Sequence, residues 1–477
     1  MSNFKNIVIN ATYQLFLVVI PIITIPYIAR VLGAQNLGLY GYTTSIINFL
    51  GIIINFGMNQ IGVREIAKTE TATRIRLFFK LWKIQFISGI IISFCYIAVI
   101  FLLAPNNNAV YFCQIFFLIS FIFDISWFFI GMGQIKKVIL RNTGVKLIGI
   151  FLIFILIKDS NDLLLYVLIN GVTFLLSNIF FWIEILSINK NERNYFKPVP
   201  SSLTFVKISF VLLLPQIAVQ IYTSLNTTLV GILTDSLQVS YYDQSQKISR
   251  MVLAIVTSIS VVLMPRLAEK KDDKEIFNMV STSLFYTTFV SALFLVIVSS
   301  NSNTFVPWFF GDEFLSMRVN MKLSSLIILF ISFGGVFSTQ FALARGYDKE
   351  FSIPYYIGVF TNIGLNLVLI PKFGALGASV TLVLTEITVC FFRVFIVRKK
   401  IDLKKLLDDA DILKILIIAL ISFSISILPI FNFENPLFEM LLRSIVISFV
   451  FMFLSIILKT RILNDFQIFL KKYNGRK

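Results

Sequence analysis

The chain has 477 residues, 57% of them hydrophobic and 14% charged, where soluble domains carry about a quarter charged residues, so it is not a soluble globular protein. It contains no His, which removes imidazole acid–base chemistry, His metal sites and a His-centred membrane acyltransferase, and argues against an enzyme. A net charge of +17 would suggest nucleic acid in a soluble chain, but Lys and Arg fall in short bursts between apolar segments, as the positive-inside rule explains, and no nucleic-acid partner is expected. Cys95, Cys113 and Cys390 lie far apart inside apolar runs, which suggests packing residues and neither a disulfide framework nor a metal pair.

A bilayer-spanning helix takes about 20 mainly apolar residues, and fourteen such runs follow one another. They cover 7–30, 38–61, 82–104, 109–132, 139–157, 163–187, 204–233, 241–265, 276–300, 320–344, 352–371, 375–397, 412–431 and 437–458. The first lacks a small-residue cleavage site and is expected to stay as a membrane helix. With the N-terminus in the cytoplasm, 34 of the 42 Lys and Arg lie in or beside cytoplasmic segments and 8 on the other side. Both termini are therefore expected in the cytoplasm.

An internal repeat predicts the division of the chain. A shift of 202 residues places Gln14 on Gln216, Tyr40 on Tyr242, Ile46 on Ile248 and Arg64 on Arg266; a shift of 213 places Gly133 on Gly346 and Lys136 on Lys349. The copies are six spans apart, an even number, so they share one orientation, as in transporters built from parallel repeats. The expected fold is all-α and polytopic: a six-helix lobe over 1–190, a second over 191–405, and two further helices with a basic tail over 406–477.

Polar residues then mark faces of particular spans. Span eight carries Ser240, Asp243, Lys247, Arg250, Ala254, Thr257 and Ser258, spaced by three and four and therefore on one helical face. Span two carries Ser45, Asn48, Asn55 and Asn59; span one Asn10, Gln14, Pro21 and Thr24; span seven Gln216, Gln220, Thr223 and Thr227. Single Asn, Gln or Thr residues commonly hold membrane helices together. Four aligned stripes containing two cations suggest a shared hydrated cavity instead. Lys247 and Arg250 also lie near enough to the external end of the span to snorkel outward. Glu386 near the middle of span twelve and Asp124 past the middle of span four are candidate functional carboxylates, each costing about 2.5–3.5 kcal/mol at the centre of a bilayer. Arg30, Glu184, Arg345 and Arg393 sit near span ends and are expected at the interface. Gly334 and Gly335 fit close helix packing.

Several elements resemble one family. Pro26, Tyr27, Ala29, Arg30, Leu32, Gly33, Gly38 and Tyr40, closed by Arg64 and Glu65, form the first. Asp124, Trp127, Phe128, Phe129 and Gly131 form the second, departing from the family at Ile130 and Gly133, where Gln and Glu are usual. Tyr241, Tyr242, Lys247 and Ile248 with Met264, Pro265 and Arg266 form the third, and Asn362, Asn366, Leu369, Ile370, Pro371, Gly374, Gly377, Ala378 and Glu386 the fourth. Together they resemble the Wzx-type polysaccharide biosynthesis flippases of the multidrug/oligosaccharidyl-lipid/polysaccharide exporter superfamily, along essentially the whole chain.

The resemblance implies movement of an undecaprenyl-diphosphate-linked oligosaccharide from the inner to the outer leaflet of the bacterial cytoplasmic membrane, by alternating access, for O-antigen, capsule or exopolysaccharide synthesis. It implies proximity to the polysaccharide polymerase and chain-length machinery, and no cofactor beyond coupling to a proton or other ion gradient or to membrane potential. Gln14, Arg30, Asn48, Gln216, Gln220, Tyr242, Lys247, Arg250 and Asn366 are the candidate cavity residues, and Asp124, Asp243 and Glu386 the candidate coupling carboxylates. Lys247 and Arg250 suit a diphosphate, and the Asn and Gln side chains suit sugar hydroxyls. Moving two negative charges outward through an inside-negative potential releases about 4.6 kcal/mol per 100 mV. A small-molecule or drug antiporter of the same superfamily is the alternative; it would typically have twelve spans and a cavity built around carboxylates. A membrane polymerase or acyltransferase would need a larger external loop or catalytic groups that the chain lacks.

Overall fold

The computed structural model describes residues 2–103, 107–191, 205–206, 220, 224–269, 272–428, 431 and 433–462, excepting the side chains of 2–19, 71–72, 187–191, 259–266 and 268–269. Every element among them is helical, as a backbone crossing hydrocarbon requires, because a helix satisfies its own N–H and C=O groups. The helices are α1 Ser2–Asn55, α2 Met58–Lys68, α3 Thr71–Leu103, α4 Asn108–Ile122, α5 Ser126–Gly131, α6 Ile135–Leu156 and α7 Leu163–Asn191. They continue with α8 Ser224–Leu233, then α9 Ser236–Glu269, α10 Asp273–Phe310, α11 Met317–Gly335, a π-helix Val336–Leu343, α12 Asp348–Val397, α13 Leu403–Asp409, α14 Ile412–Ser426 and α15 Pro436–Ile457.

Nine stretches among the described residues are long and apolar enough to cross a membrane. Two of them hold two expected spans each: α1 is broken at Gly33 (φ 78°, ψ 169°) and α12 at Gly374 (φ 57°, ψ −132°). α9 is more polar, and α14 has only 15 residues. Side chains such as Leu102, 83% exposed, and Phe360, 79% exposed, form outward apolar surfaces of the kind that lipid covers. Cys390 is buried as a packing residue, whereas Cys95 is exposed.

The chain divides into two compact units, Met1–Ser240 and Tyr241–Lys477. α8 and the start of α9, which the repeat assigns to the second lobe, pack with the first unit: Ser45 shares a 2.8 Å hydrogen bond with Thr228, and a Cβ on Gly231 would lie 2.1 Å from the Tyr42 ring.

Span four is expected as one helix and is two. Asp124 accepts hydrogen bonds from the Ser126 backbone N–H, at 3.0 Å, and from the Ser126 hydroxyl, a local turn that competes with helix. Side chains from elsewhere in the unit occupy the freed carbonyls. Gln85 Nε2 donates to Phe121 O at 2.7 Å and Asp124 O at 3.0 Å, Trp82 Nε1 to Ile122 O at 3.0 Å, and Trp182 Nε1 to Phe123 O at 3.1 Å. Trp127 Nε1 completes the net by donating to Gln85 Oε1 at 3.1 Å. Phe78, Trp127, Phe128, Phe129 and Phe181 pack around it, with the Phe129 and Phe181 rings stacked at 4.1 Å. Span two also ends sooner than expected. α1 stops at Asn55, Phe56 and Gly57 turn with positive φ, and Asn55 Oδ1 caps α2 by accepting from Asn59 N at 3.1 Å.

The repeat registers recur in local geometry. Gly33 shifted by 202 falls on Asp235, in the gap between α8 and α9, and Phe123 shifted by 213 falls on Val336, where the π-helix starts. Gly133 (φ 77°) and Gly346 (φ 73°) both end their helices in the left-handed region, which favours Gly because it has no Cβ. Each is held in the same way: Gly133 N to Ile130 O at 2.9 Å and Gln134 N to Phe129 O at 2.8 Å, Gly346 N to Leu343 O at 3.1 Å and Tyr347 N to Ala342 O at 2.9 Å.

In the second unit, α14 and α15 pack on α10 and are tied to it at both ends. Glu439 and Arg443 form a 2.7 Å ion pair, each under a tenth exposed. Thr304 donates to Glu439 at 2.7 Å, Arg443 donates to Ser300 O at 3.3 Å, and Ser300 and Ser426 share a 2.6 Å hydrogen bond. At the other end Arg461 donates to Ser281 Oγ at 2.9 Å and Thr282 Oγ1 at 2.6 Å, while Ser281 donates to Asp409.

Candidate functional site

Asp243, Lys247 and Arg250 follow one another along α9 at helical spacing. Lys247 Nζ lies 2.6 Å from Asp243 Oδ2, with the side chains 41% and 18% exposed, so the first cation of the stripe is balanced by the carboxylate one turn before it. Arg250 is half-buried and has no hydrogen-bond or ion-pair partner among the described residues. A half-buried guanidinium without a counter-charge is costly in the resting protein and suits an anion brought from outside.

Further α9 side chains face α11 and the turn that precedes it. Tyr242 is buried; Tyr241 OH donates to Glu313 O at 3.0 Å, Ser245 shares a 3.2 Å hydrogen bond with Ser324, and Gln246 donates to Ser324 at 3.1 Å. This seam is incompletely satisfied. Ser249 Oγ and both amide atoms of Asn320 are buried with no hydrogen-bond partner among the described residues, although such groups are almost always bonded in native proteins.

A second polar group lies along α12. Asn366 Nδ2 donates to Asn362 Oδ1 at 3.0 Å, and Asn362 Nδ2 to Thr385 Oγ1 at 3.4 Å, joining spans eleven and twelve beside Glu386, which is 1% exposed. Arg393 lies seven residues on, along the same face. Arg393, near the end of span twelve, is 5% exposed. Its guanidinium stands 4.9 Å over the Tyr355 ring, in space left by Gly334, whose Cβ would lie 3.1 Å from Arg393 Cδ.

The remaining candidates are dispersed. Asp124 serves the α4–α5 break, half-buried. Arg30 is exposed just before Gly33, and Asn48 is half-buried on α1. Gln220 is half-buried and donates to Ser224 at 2.6 Å. Gln216 and the Gln14 side chain lie outside the described residues. Arg393 and the Ser324–Asn320 side of the seam are absent from the candidates that the sequence supplies. The four-residue spacing of Asn320 and Ser324 is a signal for the seam; Arg393 carries none, because its burial depends on a glycine 59 positions earlier.

Kinked, largely apolar helices with charged side chains buried among them define a polytopic all-α membrane protein. Residues 4–271, more than half of the chain, match the model of the polysaccharide biosynthesis protein family, and the chain belongs to that family. It is similar to a protein of Escherichia coli (strain K12) provisionally named an O-antigen transporter, 22% identical over 410 residues, covering 83% of this chain and 97% of the relative. A Shigella dysenteriae protein of the same name is 22% identical over 385 residues, covering 78% of this chain and 94% of its own. The solved structure of the lipid II flippase MurJ in an inward closed conformation matches in fold with a TM-score of 0.72, over 94% of this chain and 98% of that one, at 15% identity.

Proposed function

We propose that the protein is a flippase that carries a polyprenyl-diphosphate-linked oligosaccharide from the inner to the outer leaflet of the bacterial cytoplasmic membrane by alternating access. The observation that carries this reading is Arg250, a half-buried cation with no partner among the described residues, in a family of polysaccharide biosynthesis proteins. A diphosphate and a chain of hydroxyls cannot cross about 30 Å of hydrocarbon without replacement partners. Arg250 offers two parallel donors for a phosphate, buried Asn and Gln amides suit hydroxyls, and the prenyl tail stays in lipid. Both termini lie in the cytoplasm on this reading, in keeping with the distribution of Lys and Arg. Transport is driven by membrane potential, with Glu386 as the carboxylate that adds a response to a proton gradient.

The test is the location of the lipid-linked sugar in cells with the gene deleted and then restored. The intermediate should accumulate in the inner leaflet on deletion and reach the outer leaflet on restoration. An outer-leaflet pool that survives deletion, in cells with no second such gene, would refute the proposal.

A further inference from the structure

A groove of about 860 Å³ runs between α6 and α7 on the first unit. The two helices touch where a Cβ on Gly149 would lie 3.4 Å from Thr173, and part at Gly144, where a Cβ would meet no atom within 4 Å. The lining is apolar along Gly144, Ile148 and Leu152, and its charges gather at the opposite end, at Lys137, Arg141 and Glu184. Lys137 lies 2.6 Å from Glu184, with side chains 50% and 35% exposed. Arg141 is held in place: it donates to Asn142 Oδ1 at 2.7 Å and Ser126 Oγ at 3.1 Å, and stands 4.1 Å over the Phe181 ring. Among the lining residues two cations face one carboxylate, while Asp124 reaches Arg141 only through the Ser126 hydroxyl.

We propose that this groove holds one anionic glycerophospholipid of the cytoplasmic leaflet, with its phosphate at Lys137 and Arg141 and an acyl chain along Gly144 to Leu152. Basic pockets between membrane helices on the cytoplasmic side suit anionic headgroups, and the proposed topology puts the Lys137 end there. Length favours a phospholipid over a polyprenyl chain. The eleven helical rises from Arg141 to Leu152 span about 16 Å of helix, close to the depth of one leaflet, about half of a 30 Å core, and a long polyprenyl tail would overrun it. Arg141 is anchored through Ser126 to Asp124, so a bound headgroup would rest on the same side chains that hold the α4–α5 break.

The experiment titrates purified, delipidated full-length protein with phosphatidylglycerol or phosphatidylcholine and reads bound lipid by native mass spectrometry. Phosphatidylglycerol should bind about fivefold more tightly, the effect of one net basic charge near a headgroup. A Cβ at Gly144 opens into the groove, so Gly144→Leu places its side chain there and improves helix propensity; it should leave the melting temperature intact and weaken phosphatidylglycerol binding by at least about fivefold. Lys137→Gln, at an exposed position, should narrow the preference over phosphatidylcholine. Equal binding of the two phospholipids, or wild-type binding by Gly144→Leu, would overturn the proposal. So would displacement of phosphatidylglycerol by equimolar polyprenyl phosphate, which would give the groove to a prenyl tail. None of these readouts depends on transport.

Discussion

The break at 123–125 in the first unit and the π-helix Val336–Leu343 in the second occupy one register of the repeat, and their polar surroundings are opposite in character. Around the break, Gln85, Trp82 and Trp182 reach the carbonyls that the helix gives up. Around the π-helix Ser283 donates to Gln340, but Ser338 Oγ and Ser332 Oγ are buried without hydrogen-bond partners among the described residues, as are both Asn320 amide atoms in the seam farther along α11. A break whose groups are all engaged is fixed architecture. π-Geometry among idle polar groups is where a functional site is expected, since such segments recur at functional sites and a ligand or water can supply the missing bonds.

The largest expected effect lies on the satisfied side. Gln85→Leu strips donors from several buried carbonyls and the acceptor from Trp127, at about 1–3 kcal/mol for each group left unsatisfied. The variant should yield little folded protein by size-exclusion chromatography in detergent, and a wild-type melting curve would remove the net from its structural role. Next comes Arg250→Gln, which should abolish export while the protein stays abundant in the membrane; Arg250→Lys should keep part of the activity, because it keeps the charge and loses the fork. Lys247→Gln should do less, since Asp243 already balances that charge. Normal surface polysaccharide in Arg250→Gln cells would remove the diphosphate from that position.

A smaller effect is expected of Glu386→Gln, which preserves shape and abolishes titration. Flipping in proteoliposomes should continue under a membrane potential and lose its response to an imposed pH gradient; an unchanged response would make Glu386 a static link beside the Asn362–Thr385 bond. The smallest effect on stability belongs to Asn320→Leu. Removing polar atoms that lack partners among the described residues breaks no hydrogen bond, so stability should fall less than in Gln85→Leu, while transport falls. A drop of several kcal/mol would reveal a structural bond there and erase the contrast between the two regions.

The spans were legible because about 20 apolar residues bounded by charge have few other uses, and the repeat was legible enough to place Gly133 on Gly346. The interruptions were not. Nothing near Asp124 in the sequence announces that Gln85, Trp82 and Trp182, some 40 to 60 positions away, will meet the freed carbonyls. The Lys247–Asp243 pair was available from its i, i+4 spacing, and so was Glu439–Arg443, two opposite charges one turn apart in an apolar span. For Arg393 the deciding fact is a missing side chain on a neighbouring helix, which periodicity along its own helix cannot report.

The ties between α10 and the last two helices also bear on the order in which the protein is made. Ser281, Thr282, Ser300, Asn301 and Thr304 enter the membrane with α10, yet the side chains that bond them, from Asp409 to Arg461, emerge from the ribosome more than a hundred residues later. During that interval the Thr282 hydroxyl and the Asn301 amide bond back to Asn278 O and Ile297 O of α10 itself, while the remaining hydroxyls need company from water, lipid headgroups or an insertion factor. α15 and the Arg461 segment after it thus act as a latch on the nascent chain, and a stalled product ending before Pro436 is one that membrane quality control should recognise and degrade.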